Sequence, residues 1–194
     1  MKKTILSLLL LLSLNGCGII RNLSALSECE YRFHSARSPV VAGLDMSHVN
    51  SFSDLSFLDG SVILASILGG TLPFSITANI EVINPGNIKA NVDQLSWIAL
   101  IDNTEVARGT IGEHYELAPG GGRVIIPVKV EADLFDYLEG DNPRTMLNFA
   151  LNLADAGGEP TRLSLKIKPS VRIGKKAIKV PGYFRIDTEF SSAK

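Results

Sequence analysis

The sequence predicts a mainly β protein, an antiparallel β-sandwich accompanied by one amphipathic helix. The first observation is the segment Ser75–Ile101, where apolar and polar residues alternate along two runs, as in strands with one buried face. The second is that similar runs, separated by Gly, Pro and Asn turns, recur through the chain. With 194 residues, 45% of them hydrophobic and 20% charged, the chain can form one domain with a core. The apolar faces of the two runs comprise Ile76, Ala78, Ile80, Val82, Leu95, Trp97, Ala99 and Ile101.

The N-terminus has the pattern of an export signal. Basic residues in Met1–Lys3 precede the ten-residue apolar run Ile5–Leu14, which is too short for a bilayer span of about 20 residues. Leu14-Asn15-Gly16-Cys17 follows at once and resembles a bacterial lipobox. This predicts a signal peptide over residues 1–16, cleavage between Gly16 and Cys17, and lipid on Cys17. An ordinary secretory signal with a chance cysteine is the alternative.

A lipid on this cysteine would anchor the mature chain to a membrane without a transmembrane helix. Gly18 follows the cysteine, whereas Asp at this position is typical of enterobacterial lipoproteins retained in the inner membrane. We therefore expect a cell-envelope protein, in the outer membrane and facing the periplasm, with the inner membrane or the cell surface as alternatives. Removal of Lys2 and Lys3 leaves 17 basic against 20 acidic residues, a formal charge of −3. This near-balance gives no electrostatic footprint for nucleic acid.

The two cysteines, Cys17 and Cys29, are consistent with this predicted location in the cell envelope. A lipidated Cys17 leaves Cys29 without an intramolecular partner, so we expect a small buried thiol near the first strand. A disulfide between them is the alternative if the signal is not of the lipoprotein type. The predicted organisation is a signal peptide (1–16), a lipidated cysteine with a short tether (17–28) that can contain a little helix at Ile20–Leu26, and a single sandwich domain (29–194).

The mature chain reads as a series of short strands and turns. Ser38-Pro39 breaks the first strand, and Asn84-Pro85-Gly86-Asn87 separates the two runs of a hairpin or two-strand corner. Pro127 cannot donate to a ladder, which places the strand Arg123–Glu131 at an edge or beside a bulge. The expected strands begin near Cys29, Val40, Ser75, Leu95, Val106, Arg123, Thr161 and Ala177.

The segment Gly60–Pro73 is crowded with apolar side chains and contains Gly69-Gly70. One interpretation is a packed strand or helical turn inside the fold. The other is an apolar contact site for lipid or a protein partner, because a large exposed apolar patch needs a purpose. Burial distinguishes the two interpretations. The candidate contact residues are Val62, Ile63, Leu64, Ile67 and Leu68.

The C-terminal part combines a predicted helix with a basic hairpin. Asn142-Pro143 is typical of a helix start, and apolar residues at three- and four-residue spacing predict an amphipathic helix over about 143–155. The hairpin lysines indicate either a solvated face that guards an edge strand or a weak site for anionic headgroups or polymers. The helix residues are Met146, Leu147, Ala150, Leu151 and Ala154, and the hairpin cations are Lys166, Lys168, Arg172, Lys175, Lys176 and Lys179.

No pattern in the sequence indicates catalysis, a metal site or a cofactor. The three histidines, His34, His48 and His114, are isolated along the chain and lack metal-ligand spacing. There is no nucleophile elbow, and Gly120-Gly121-Gly122 lacks the Lys and Ser/Thr of a phosphate loop. We therefore expect a protein that is not an enzyme, with no catalytic residues, no metal and no cofactor.

Several motifs resemble the late-embryogenesis-abundant type-two proteins, whose domain is also called WHy, for water stress and hypersensitive response. The apolar strand ends in Asn84-Pro85, and the later segment PGGGRVIIPVKV is similar to another strand of the family. The resemblance covers about Cys29–Phe190 and implies a fibronectin-type-III-like β-sandwich with a helix, a link to desiccation and stress, and no catalytic residues. The D-x-L-x-W pattern falls on Asp93, Leu95 and Trp97, and the V-A-x-G pattern on Val106, Ala107 and Gly109.

Two functional hypotheses follow. The first is a lipid-anchored periplasmic sandwich with a structural or stress-protective role, or one that binds an unknown envelope protein. The second is a carrier of lipid or small hydrophobic ligands, which requires an internal apolar cavity of roughly several hundred Å³.

Overall fold

The structure, a computed structural model, describes residues 16–47, 56–138 and 160–190. Within these ranges the helices are α1 (Gly16–Glu28), α2 (Phe57–Leu68) and α3 (Phe135–Leu138). The predicted signal peptide, apart from Gly16, and the predicted helix over 143–155 lie outside the described residues. The strands are β1 (Glu30–Val41), β2 (Leu44–Asp45), β3 (Pro73–Asn84), β4 (Ala90–Val92), β5 (Gln94–Ile101), β6 (Thr104–Ile111), β7 (Tyr115–Leu117), β8 (Gly122–Asp133), β9 (Thr161–Ile173), β10 (Lys176–Lys179) and β11 (Phe184–Phe190).

The strands form two main antiparallel sheets. The first has the order β2-β1-β3-β8, and the second has the order β10-β9-β5-β6, with β11 also paired to β9. A small third sheet pairs β4 with β7. The inner faces of the two main sheets contribute to one hydrophobic cluster. The mainly β, antiparallel sandwich predicted from the alternating sequence is confirmed.

The predicted apolar faces form the core. All eight alternating apolar residues of β3 and β5 are buried, and burial of a large aliphatic side chain contributes about 1.5–3 kcal/mol. Tyr31 of β1 and Phe184 of β11 connect the two sheets along one side, with ring centroids 4.4 Å apart. β8 contributes Ile126, Val128 and Val130, and β9 contributes Leu163, Leu165 and Ile167.

Asn84-Pro85 forms a corner between the sheets. β3 pairs with β1 and β8, whereas β5 pairs with β6 and β9, so the hairpin interpretation is wrong and the corner interpretation is confirmed. Asn84 is buried, and its Oδ1 accepts a hydrogen bond from the Gly86 N–H at 3.1 Å. Its Nδ2 donates to the Ile88 carbonyl at 2.8 Å and approaches the carbonyls of Leu117 and Ala118 at 3.3 and 3.2 Å. The side chain thus ties the corner to the loop before β8.

The Gly-rich loop between β7 and β8 closes the same corner. The Gly120 N–H donates to the Gly86 carbonyl at 2.8 Å, and the Gly121 N–H donates to the Asn84 carbonyl at 2.7 Å. Gly120 and Gly121 have φ values of 72° and 95°, which glycine adopts most readily. The amide groups of this loop are therefore used inside the fold.

Two proline positions mark strand irregularities. Pro127 lies on β8, opposite Asn79 of β3. β8 is an edge strand of its sheet, so the edge position predicted from Pro127 is confirmed. Ser38-Pro39 does not end β1, contrary to the predicted break. Ser38 has φ 49° and the pairing with β3 shifts between Arg37 and Val40, which keeps one strand continuous through a bulge.

The sandwich has two ends, which we call the α1 end and the α2 end. The α1 end contains α1, the crossover from Asn84 to Asp93, and the β9–β10 turn. The α2 end contains α2, α3 and the Asp102-Asn103 turn, and the Leu134 N–H donates to the Leu72 carbonyl there at 2.9 Å. β3 runs between the two ends and has 12 residues. The steps from its first to its last residue, of about 3.3 Å each, separate the ends by roughly 35 Å.

Candidate functional site

Cys17, the predicted lipid site, lies in the first turn of α1. This helix packs on the sandwich, because Ala25 and Leu26 are buried and the Asn22 Oδ1 accepts a hydrogen bond from the Asn91 N–H at 2.9 Å. The segment expected as a short tether is therefore helical and belongs to the folded body. A lipid on Cys17 would lie at the α1 end. Within the described ranges, no helix is long and apolar enough to cross a membrane.

Cys29 is free and buried, as predicted. Its Sγ donates to the Ala25 carbonyl at 3.2 Å. Burial, together with the charge of Glu28, raises the pKa of the Cys29 thiol to about 11. Because the thiolate is the reactive form and an ordinary thiol has a pKa of about 8.5, Cys29 is a core residue and not a nucleophile.

Helix α2 occupies the apolar segment and begins at a complete capping box. The Ser56 Oγ accepts from the Asp59 N–H at 3.1 Å, and the Asp59 carboxylate accepts from the Ser56 N–H at 2.9 Å. The Ser56 hydroxyl also donates to this carboxylate at 2.7 Å, and this hydrogen bond, together with the one from the Ser56 N–H, lowers the pKa of Asp59. A capping box of this kind satisfies two orphan N–H groups and fixes the first turn. The segment Gly60–Pro73 therefore begins inside a helix that starts at Phe57.

The apolar side chains of α2 are divided between two faces. Ile63 and Ile67 pack against the core, partly buried, whereas Leu64 is 56% exposed and Leu68 is 80% exposed. Phe57 in the first turn is 91% exposed. Each of the two interpretations of this segment thus describes one face of the helix. The exposed set, which we call the α2 apolar face, is Phe57, Leu58, Val62, Leu64 and Leu68.

His114 is a surface histidine and belongs to a charge network whose members come from different parts of the sequence. Its Nδ1 lies 2.5 Å from an oxygen of Asp93, and its Nε2 lies 3.4 Å from an oxygen of Glu116. Lys89 Nζ lies 2.7 Å from Glu116, and the Arg172 N–H donates to the other oxygen of Asp93 at 2.6 Å. The network joins the crossover, β7 and β9 at the α1 end.

The network shifts the titration of its members. The hydrogen bond to Asp93, and then the one to Glu116, raises the pKa of His114. Partial burial opposes ionisation of Asp93, but the hydrogen bonds from Arg172 and His114 outweigh it and lower the pKa of that carboxyl. The side chain of His114 is half exposed, so solvent screens these interactions. In the described chain, the hydrogen-bond partners of the histidine ring are the carboxylates of Asp93 and Glu116. We interpret the arrangement as a structural contact that links the crossover to β7 and β9.

Two open clefts lie near opposite ends of the sandwich. One, of about 490 Å³, is lined by residues that include Val40, Phe74 and Ala132 at the α2 end. The other, of about 390 Å³, lies between α1 and the crossover and is lined by residues that include Arg21 and Lys89. Neither cleft is enclosed, whereas a carrier of hydrophobic ligands buries most of its ligand surface. In the described part of the chain, no group of three His, Cys, Asp or Glu residues is arranged to hold a metal ion.

Comparisons with known proteins return solved structures but no sequence relative. No family model matches the chain, and no curated protein matches it. A protein from Archaeoglobus fulgidus is 16% identical with a TM-score of 0.38, over 63% of this chain and 87% of that chain. A protein described as a predicted late embryogenesis abundant (LEA) protein, solved in solution, is 16% identical with a TM-score of 0.40, over 98% and 86% of the two chains. An Arabidopsis thaliana protein is 15% identical with a TM-score of 0.37, over 60% and 66%. Membership of the family that the motifs resemble stays a prediction.

Proposed function

We propose that this chain is a lipid-anchored, non-catalytic protein of the cell envelope that binds a protein partner through the α2 apolar face. The observation that carries the proposal is the exposure of five large apolar side chains on one capped helix. A contiguous apolar patch on the surface of a soluble domain is typical of a site of contact. The resemblance to stress-related proteins adds a protective role to the same proposal.

The position of the α2 apolar face favours a protein partner over the anchoring membrane. Cys17 lies at the α1 end, and α2 joins the opposite end of β3, roughly 35 Å away along the strand. A lipid on Cys17 inserts the α1 end into the membrane surface. The α2 apolar face then points into the aqueous compartment, where an apolar surface on another envelope protein is the chemistry that would cover it.

Site-specific photo-crosslinking in intact cells tests the partner. A photoreactive residue in place of Leu64 should give a discrete cross-linked protein, and the additional substitution Leu68→Asp should abolish it. Ile125 of β8 is the matched control, because it is also apolar and 43% exposed but pairs with Glu81, toward the α1 end of the sandwich. The residues on either side of segment 139–159, Leu138 and Pro160, lie at the α2 end. A product cross-linked only within the same polypeptide, to residues 139–159, would therefore contradict partner binding.

Metabolic labelling tests the anchor separately. The wild-type chain should incorporate palmitate and fractionate with membranes, and Cys17→Ser should lose both properties. Cys29→Ser serves as the control for the second thiol. Unchanged labelling of Cys17→Ser would remove the lipid anchor from the proposal.

A further inference from the structure

The segment from Leu163 to Ile186 concentrates the positive charge of the chain. It contains seven Lys and Arg residues and no Asp or Glu, although the whole chain has a formal charge of −1. The rest of the sequence therefore carries −8. A segregation of this kind produces a local positive potential that the near-neutral total conceals. The cations are Lys166, Lys168, Arg172, Lys175, Lys176, Lys179 and Arg185.

The fold places most of these cations on an exposed hairpin. β9 turns at Gly174, with φ 58°, and β10 returns with Lys176 opposite Ile173 and Lys179 opposite Ser170. All four residues of β10 are exposed. We call residues 166–179, which comprise the C-terminal part of β9, the turn and β10, the basic hairpin.

Within the described ranges, the cations of the basic hairpin form no ion pair with a carboxylate. Elsewhere in the described chain, seven cations each pair with an acidic side chain, whereas Arg21 and Arg37 do not. The paired cations are Arg32, Lys89, Arg108, Arg123, Lys129, Arg162 and Arg185. Among the residues that the structure describes, no acidic side chain lies within ion-pair distance of any of the six cations of the basic hairpin. The carboxylate of Asp93 lies next to Arg172. It accepts hydrogen bonds from the backbone N–H of Arg172 and from the ring of His114. The side chains are therefore available to an external anion.

The turn of the basic hairpin projects at the α1 end. Gln94, the first residue of β5, pairs with Ser170, so the last residues of β9 and the turn extend beyond the start of β5. α1, which carries Cys17 in its first turn, packs against β4 and β9. The hairpin and the predicted lipid site therefore share one end of the sandwich.

Amphipathic residues accompany the charges. Tyr183 is 51% exposed and its ring lies under the Lys168 ammonium, with Nζ 4.9 Å from the ring centroid. Ile178 on β10 is also exposed. Basic side chains next to an exposed Tyr and an exposed aliphatic residue are typical of surfaces that lie at the headgroup level of a bilayer.

We propose that the basic hairpin binds the anionic phospholipid headgroups of the membrane that holds the lipid on Cys17. This proposal rests on the lipid anchor of the proposed function. The lipid holds the protein at the membrane, and the hairpin fixes its orientation, because the lysines bind the phosphates next to the anchor. The contact keeps β3 directed away from the bilayer and the α2 apolar face directed toward the aqueous compartment.

Lysine labelling of the full lipidated protein tests the contact. The protein is reconstituted in vesicles of phosphatidylcholine alone or mixed with phosphatidylglycerol, and a water-soluble acylating reagent is read out at each lysine by mass spectrometry. In the mixed vesicles, labelling of Lys175, Lys176 and Lys179 should fall about fivefold relative to Lys129, which lies on β8, and high salt should restore it. Equal labelling of the hairpin lysines in both vesicles would overturn the proposal.

A second measurement separates failure of the hairpin from failure of the anchor. A chain without lipid will not float with phosphatidylcholine vesicles, and that result refutes the anchor alone. The same chain should still float with phosphatidylglycerol vesicles at low salt, and K175Q/K176Q/K179Q should weaken this binding by roughly 100-fold, about fivefold per lysine. K129Q is the matched control and should bind like wild type. Binding that the triple substitution leaves unchanged would refute the hairpin contact whether or not Cys17 carries lipid.

Discussion

Gly109 on β6 allows the single tryptophan of this chain to pack against the neighbouring strand. Gly109 is the cross-strand partner of Trp97 on β5, and Trp97 is buried. A Cβ added at Gly109 would lie 2.5 Å from the Trp97 Cζ2 and 2.7 Å from its Cε2. Both are atoms inside the fused ring system, so the ring has to move by about 1 Å to restore van der Waals distance.

We therefore expect Gly109→Ala to destabilise the sandwich. Overpacking of a close-packed core costs about 1–3 kcal/mol, and the lower entropy of alanine in the unfolded chain offsets about 0.5–1 kcal/mol. The net loss is about 1.5 kcal/mol, which lowers the melting temperature by about 3–6 °C for a domain of this size. Urea denaturation followed by tryptophan fluorescence measures it directly, because Trp97 is the only tryptophan.

Two further variants make this prediction refutable. Gly112→Ala is the matched control, since no atom lies within 4 Å of its added Cβ, and it should leave stability unchanged within about 0.5 kcal/mol. In a Trp97→Leu background, Gly109→Ala should be nearly neutral, which gives a coupling energy of about 1–2 kcal/mol by circular dichroism melts. If Gly109→Ala proves as harmless as Gly112→Ala, the contact between the ring and Gly109 does not constrain β6.

Three more predictions concern the corner, the charge network and the buried thiol. Asn84→Ala should lower the free energy of unfolding, measured by urea titration, by about 2–3 kcal/mol, because the substitution leaves buried carbonyls unpaired. Asn87 is exposed, and the control Asn87→Ala should change this free energy by less than about 0.5 kcal/mol. NMR titration should show a His114 pKa above its ordinary value of about 6.5, and Asp93→Asn should lower it. The raised pKa of His114 adds stability that is fully present below pH about 6.5 and is lost as pH rises through the folded pKa. The difference in unfolding free energy between the wild type and His114→Gln should therefore shrink with rising pH. A difference that stays constant with pH would contradict the network. Cys29 should react with a thiol reagent in the native state at pH about 7.5 at least 100-fold more slowly than in urea.

The fold was predictable where a single periodicity decided the structure. The alternation in β3 and β5 identified the core faces correctly. Each strand has two alternating sets of side chains, and only the apolar sets, which include Ile80 and Trp97, can be buried together. Pro127 indicated an edge strand because the missing N–H has one physical consequence. At Asn84-Pro85 the sequence could not distinguish a corner between sheets from a hairpin, because local turn chemistry does not reveal which strands will pair.

The features that sequence reasoning missed depend on contacts between distant segments. Asp93 and His114 are 21 residues apart, and only the crossover and β7 bring them together. Apolar content alone did not show that Ile67 would pack inward while Leu68 remained exposed. The capping pair Ser56 and Asp59 was the local signal that could have identified α2 as a helix.

The edges of the two sheets limit the ways in which another protein can recognise this sandwich. β2 has only two residues, β8 carries Pro127, and the β5–β6 pairing is irregular between Ala99 and Leu100. Short, interrupted or lysine-bearing edges resist the addition of a further strand. A partner therefore has to recognise side chains rather than join the backbone ladder. Copies of the chain at high concentration likewise resist growing edge to edge into a continuous β-structure.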